Sequence, residues 1–240
     1  MIPVVSDSDA ATVTFRLPFT FQYYGMRDSF ISICSNGFLA LGYTNYRRGY
    51  NRPIPDTAGP PWMIAPFWDD LNPDESRNGY GTAYQYYDTL NHRLIVEFKD
   101  FAHYTQPNIR ESFQVVLYDP IYYPTPTGDG EVLFFYQRVA LGSSCTVGIE
   151  DGTETRGIQY LYNNTYAPTA AYLQANRGIK FTTNPPRGQM TPWLVLCEVQ
   201  ASDTLEGNGN GFWEPGERLE VAVFLHNRGS YNATNTVVLL

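Results

Sequence analysis

Short runs of alternating apolar and polar residues, each closed by a turn former, recur along this chain, and no stretch carries the 3.6-residue apolar period of a helix. The segment from Arg93 to Phe101 shows the pattern best. Leu94, Val96 and Phe98 fall on one side and Arg93, Glu97 and Lys99 on the other, as in a sheet with one wet face. Similar runs span 11–16, 19–23, 30–34, 38–41, 81–87, 111–118, 131–136, 145–150, 157–162 and 178–181, and 62–71 is apolar. Ser35-Asn36-Gly37 between two runs predicts a tight hairpin turn, since Asn-Gly tolerates the positive φ such turns need. The proline-rich stretch 43–61 reads as an extended surface loop. About a dozen short strands at this spacing predict an all-β protein, a β-sandwich or jelly roll.

Composition supports that class and removes several functions. With 43% hydrophobic and 17% charged residues, the chain has enough apolar material for a core. A net charge of −8 argues against nucleic acid or an anionic membrane as partner and is compatible with cation binding. No run of about 18 apolar residues exists to span a membrane. The N-terminus shows no basic segment followed by an apolar run, so any export signal is removed or lies outside these residues. Cys34, Cys145 and Cys197 form neither a zinc spacing nor a CxxC pair; two could form a disulfide, or all three could be small buried residues.

The sequence changes character near Thr182-Thr-Asn-Pro-Pro-Arg-Gly188. The expected division is a β-sandwich over 1–184, a linker over 185–191 and a second unit over 192–240. The second unit offers strands at 192–199, 218–226 and 233–240, about half the seven of an immunoglobulin-like sandwich. A partial immunoglobulin-like domain leaves an edge and an apolar face to be covered by further chain or by a neighbour.

Between the first two of those strands lies the spacing with the most specific chemistry. Glu206, Asn208, Asn210, Gly211 and Glu217 fit a calcium loop, in which alternate oxygen donors turn inward, a glycine allows the bend and a final glutamate closes the shell. Phe212 would lend its backbone carbonyl, and Glu214 its carboxylate or a water. Pro215-Gly216 prevents a helix from following, so a bound Ca²⁺ would be structural and would join strands.

Other candidates carry weaker chemistry. Asp69-Asp70 and Glu150-Asp151 could be paired carboxylates of a glycosidase, but acids also cap turns or hold a structural cation. Cys145 with His103, and Ser35 or Ser144 with His92, lack a nucleophile elbow or a third residue at a useful spacing. The reading is therefore not an enzyme. Tyr43, Tyr46, Arg47, Arg48, Tyr50 and Trp62, with Tyr122 and Tyr123, could form a protein interface or stack on a glycan, and the enrichment of Tyr, Trp and Arg at interfaces favours protein. Asn163 and Asn232 open glycosylation triplets.

Four segments, 17–25 (LPFTFQYYG), 35–39 (SNGFL), 64–71 (IAPFWDDL) and 146–152 (TVGIEDG), resemble a β-sandwich module of large secreted bacterial proteins. Such modules often accompany subtilisin-like or gingipain-like peptidases. The stretch from Gly207 to Glu217 and the following strand are similar to the opening of immunoglobulin-like repeats of the same class. The resemblance implies an extracellular or cell-surface, non-catalytic structural or adhesion module. One form is a filament subunit that joins copies of itself by strand addition through residues 218–240. The alternatives are an accessory region of a secreted peptidase and a glycan-binding module.

Overall fold

The computed structural model describes residues 1–6, 8–185, 194–206, 209–210, 218–227 and 233. The chain divides into two compact units, Met1–Thr183 and Asn184–Leu240.

Fourteen strands are present among the described residues of the first unit. They are β1 (Ile2–Ser6), β2 (Thr12–Tyr23), β3 (Met26–Cys34), β4 (Phe38–Leu41), β5 (Met63–Trp68), β6 (Leu71–Asn72), β7 (Thr82–Asp88), β8 (Arg93–His103), β9 (Arg110–Tyr118), β10 (Val132–Arg138), β11 (Thr146–Glu150), β12 (Gly157–Tyr162), β13 (Thr165–Tyr166) and β14 (Arg177–Phe181). One sheet has the order β1-β7-β8-β9-β10-β14 with β6 also on β8, and the other β13-β12-β11-β5-β4-β3-β2. Every pairing is antiparallel. A single 3₁₀ turn at Glu75–Arg77 is the one helical element among the described residues, so the all-β class holds.

The two sheets face each other across one core. Leu94, Val96, Phe98, Phe113 and Phe134 from the first meet Phe21, Ile31, Ile33, Phe67 and Val147 from the second. Phe67 stacks on Phe113 at 5.6 Å between ring centroids, and the Tyr136 hydroxyl donates to the Pro66 carbonyl across the sandwich at 2.7 Å. Each such aliphatic or aromatic side chain contributes about 1.5–3 kcal/mol by leaving water.

Local departures have physical causes. The expected runs 11–16 and 19–23 are one strand, β2, whose register slips between Arg16 and Phe21. Pro18 sits in that irregularity, and β2 is the edge of its sheet, where a missing N–H breaks no ladder. The Ser35–Gly37 turn has three residues rather than two, with Gly37 alone in it at positive φ (77°). Asn36 is instead buried as a hub: its Nδ2 donates to the Arg47 carbonyl and its Oδ1 accepts from the Leu71 N–H.

The stretch 43–61 is not a free surface loop. It straps the outer side of the second sheet, where Cys34, Phe38, Ile54, Met63, Ala65 and Trp68 form a second small core with Tyr46. Polar anchors hold the strap at intervals. The Trp68 indole N–H donates to the Arg48 carbonyl at 3.0 Å, the Thr146 hydroxyl to the Arg52 carbonyl at 2.7 Å, and the Ile54 N–H to Gln159 Oε1 at 2.9 Å.

The second unit shows an antiparallel hairpin of β15 (Leu194–Glu206) and β16 (Arg218–Asn227). The expected strand at 192–199 is longer and ends where Glu206 pairs with Arg218. The strand expected at 233–240 lies outside the described residues apart from Ala233.

Candidate functional site

The four segments of the resemblance are far apart in sequence but lie on β2, the β3–β4 turn, β5–β6 and β11, all in the second sheet except β6, which pairs with β8 in the first. Three of them touch directly, since the Phe67 N–H donates to the Gly37 carbonyl and Trp68 pairs with Thr146, and Tyr23 of the fourth donates its hydroxyl to the carbonyl of Met63, next to the third, at 2.8 Å. These residues hold the scaffold beneath the strap.

Beside them runs a buried polar chain. Asp69 sits in the β5–β6 link, His103 ends β8, Glu111 lies on β9, and Ser144 precedes β11. His103 places Nδ1 3.5 Å from Asp69 Oδ2 and Nε2 3.0 Å from Glu111 Oε1. Glu111 also accepts from the N–H groups of Ala140 and Leu141 at 2.8 and 2.7 Å, so its buried oxygens are satisfied. The Ser144 hydroxyl donates to Asp69 Oδ2 at 2.5 Å. A serine whose proton goes to a carboxylate is not paired with an imidazole base as a nucleophile requires. The arrangement instead ties the β10–β11 connection to the sandwich.

The remaining catalytic candidates have other partners. Burial pushes the Cys145 thiol well above its usual range, with the Asp69 and Glu111 carboxylates adding to the effect, and this disfavours the reactive thiolate. Cys34 is held at about 11, chiefly by burial, and both cysteines are free. Ser35 Oγ accepts from the Ala11 N–H, and His92 stacks on Tyr122. Asp151 caps its own turn, accepting from the Thr153 hydroxyl and the Arg156 N–H.

The predicted aromatic surface divides. Tyr43 and Tyr50 project into solvent at 81% exposure each, beside exposed Arg47 and Arg48. Tyr46 is spent on packing, its ring 5.9 Å from Phe38 and its hydroxyl on the Ala58 carbonyl. Trp62 packs partly against the main core. Tyr122 and Tyr123 stand on the β9–β10 connection of the other sheet, where Tyr123 meets Tyr118 edge-on at 4.5 Å. Of the proposed calcium ligands, Asn208, Phe212, Glu214 and Glu217 lie outside the described residues. So does the side chain of Glu206, and Asn210 is exposed.

Glu150 has a role that sequence reasoning missed. It is fully buried at the end of β11, and its Oε2 accepts from the Asp56 N–H in the strap at 3.1 Å. Its Oε1 is buried without a hydrogen-bond partner, packed near Gly59. Burial pushes this carboxyl up to about 7; the Asp56 N–H opposes the shift, and the Glu154, Asp56 and Asp151 carboxylates add to it. No local pattern signals the contact, because Glu150 and Asp56 are 94 residues apart.

A family model described as NIDO related matches residues 2–195, most of the chain and all of the sandwich strands. The chain belongs to the NIDO-related family. The comparisons with curated proteins and with solved structures find no match. NIDO-related domains are typically extracellular and generally non-enzymatic, and the family suggests a module of an adhesive kind. Among the described residues no helix is long and apolar enough to cross a membrane. The match covers the β-sandwich part of the expected resemblance; attachment to peptidases and the calcium loop are not part of it.

Proposed function

We propose that this NIDO-related chain is a non-catalytic extracellular module that acts by adhesion and assembly, its second unit adding strands to, or receiving them from, a further copy of the chain. The observation that carries this reading is the β15–β16 hairpin. Among the described residues the ribbon has no second layer on which to bury a face, and Val199, Val221, Phe224 and Leu225 are between 36 and 51% exposed. Long strands with unpaired edges are the usual substrate of strand addition. Sedimentation velocity over a wide concentration range tests it. Association that rises with concentration and weakens in a Val221→Lys/Phe224→Lys double variant is expected, and a chain that stays monomeric throughout refutes the assembly.

The same hairpin supports a structural Ca²⁺ site in the loop 206–217. Glu206 and Arg218 pair as the last rung, so an ion held by the loop would lock the end of the ribbon. Added Ca²⁺ should raise the melting temperature, and Glu217→Gln should abolish the rise. An unchanged wild-type melting temperature removes the calcium reading.

A further inference from the structure

The outer face of the first sheet carries a groove of about 430 Å³, within the range of about 300–1,000 Å³ typical of small-molecule sites. Its floor is the backbone of β9 and β10 at Phe113 and Tyr136, whose side chains are buried in the core. Its walls come from one row across the sheet: Glu97 pairs with Gln114, and Gln114 with Phe135. Gln137 and Asn176 complete the rim.

These side chains are held in place before any ligand arrives. The Phe135 ring is 41% exposed and lies over Gly178, its nearest ring carbon 3.2 Å from where a Cβ would stand. Any other residue at 178 would lift the ring. The Gln114 amide donates to Glu97 Oε1 at 3.1 Å, which orients a carboxylate and an amide side by side. Next to Arg177, Asn176 sits at positive φ (62°) in the turn that enters β14 and overlooks the groove.

We propose that this groove binds a neutral pyranose unit of a polysaccharide. This rests on the reading of the chain as a non-catalytic extracellular module and names a ligand for it. An apolar C–H face of the sugar lies on Phe135, while vicinal hydroxyls, each both donor and acceptor, meet planar groups of matching kind on Glu97, Gln114, Gln137 and Asn176. The groove carries one carboxylate, Glu97, and one guanidinium, Arg177, so its lining has no net charge and suits a neutral sugar, while the net charge of −8 of the chain works against an acidic one. A cationic peptide would meet the Arg177 guanidinium beside the one carboxylate, a poor match for an ammonium group.

Isothermal titration calorimetry of the full chain with cellohexaose, mannohexaose and a galacturonate hexamer, followed by amide chemical-shift mapping, tests the assignment. At least one neutral hexasaccharide should bind and shift the Glu97, Gln114 and Gln137 amides, and the galacturonate hexamer should not. Phe135→Ala should weaken binding about tenfold, in line with the loss of one aromatic stacking partner. Gln137→Ala, at an exposed position that folding does not need, should weaken it severalfold. Tyr43→Ala should leave it unchanged. The proposal is overturned if neither neutral probe binds, if binding survives both groove variants, if galacturonate binds equally well, or if a lysine-rich peptide occupies the groove instead. Cleavage of a bound sugar would refute the non-catalytic reading and leave the site standing. Loss of sugar binding with self-association intact would do the reverse.

Discussion

Glu150 makes the stability of the sandwich depend on pH in an unusual direction. Its carboxyl lies at about 7 in the folded chain against an ordinary 4.5, because burial and the neighbouring carboxylates of Glu154, Asp56 and Asp151 disfavour the charge. A folded state that holds a proton more tightly than the unfolded state gains stability at low pH. That stability is fully present below about 4.5 and is lost as pH rises through about 7. The shift corresponds to a ceiling of about 3 kcal/mol, and solvent screening near the strap lowers the effect to about 1–2 kcal/mol. In a unit of this size that is about 3–6 °C of melting temperature between pH 5 and pH 8.5. Thermal unfolding followed by circular dichroism should show the decline in the native chain. Glu150→Gln, neutral at every pH and still able to accept from the Asp56 N–H, should flatten it. Parallel pH profiles for the two proteins would refute this account of Glu150.

Two further perturbations test the architecture. Glu111→Ala strips the acceptor from the Ala140 and Leu141 N–H groups and from His103 in a fully buried site; a loss of about 3–5 kcal/mol in denaturant unfolding is expected, and a loss below about 1 kcal/mol would show that the polar chain is not a tie. Trp68→Ala empties the second core and removes the indole bond to the Arg48 carbonyl, so about 3–5 kcal/mol should be lost and limited proteolysis should cut within 43–61; an unchanged cleavage pattern would separate the strap from that core.

Much of the sandwich is legible in the chain. The alternation in β8 places Leu94, Val96 and Phe98 inward and Arg93, Glu97 and Lys99 outward, as a period of two requires. β1 escapes notice because Ile2-Pro3-Val4-Val5-Ser6 does not alternate, and the β2 runs merge because an edge strand tolerates Pro18. Of the surface aromatics, composition cannot separate Tyr43, which faces water, from Tyr46 three residues later, which fills the second core.

The sequence by itself determined the class of fold and the wet and dry sides of strands such as β8, because hydrophobic periodicity and turn chemistry are local and survive in a linear text. Tertiary structure alone decided that 43–61 is a strap, that Ser144 serves Asp69 rather than a histidine, that Glu150 reaches across 94 residues to the Asp56 N–H, and that Glu97, Gln114 and Phe135 share one row. Each of these depends on which strands become neighbours and in what register. Long-range antiparallel pairing sets both, and no short stretch of chain encodes it.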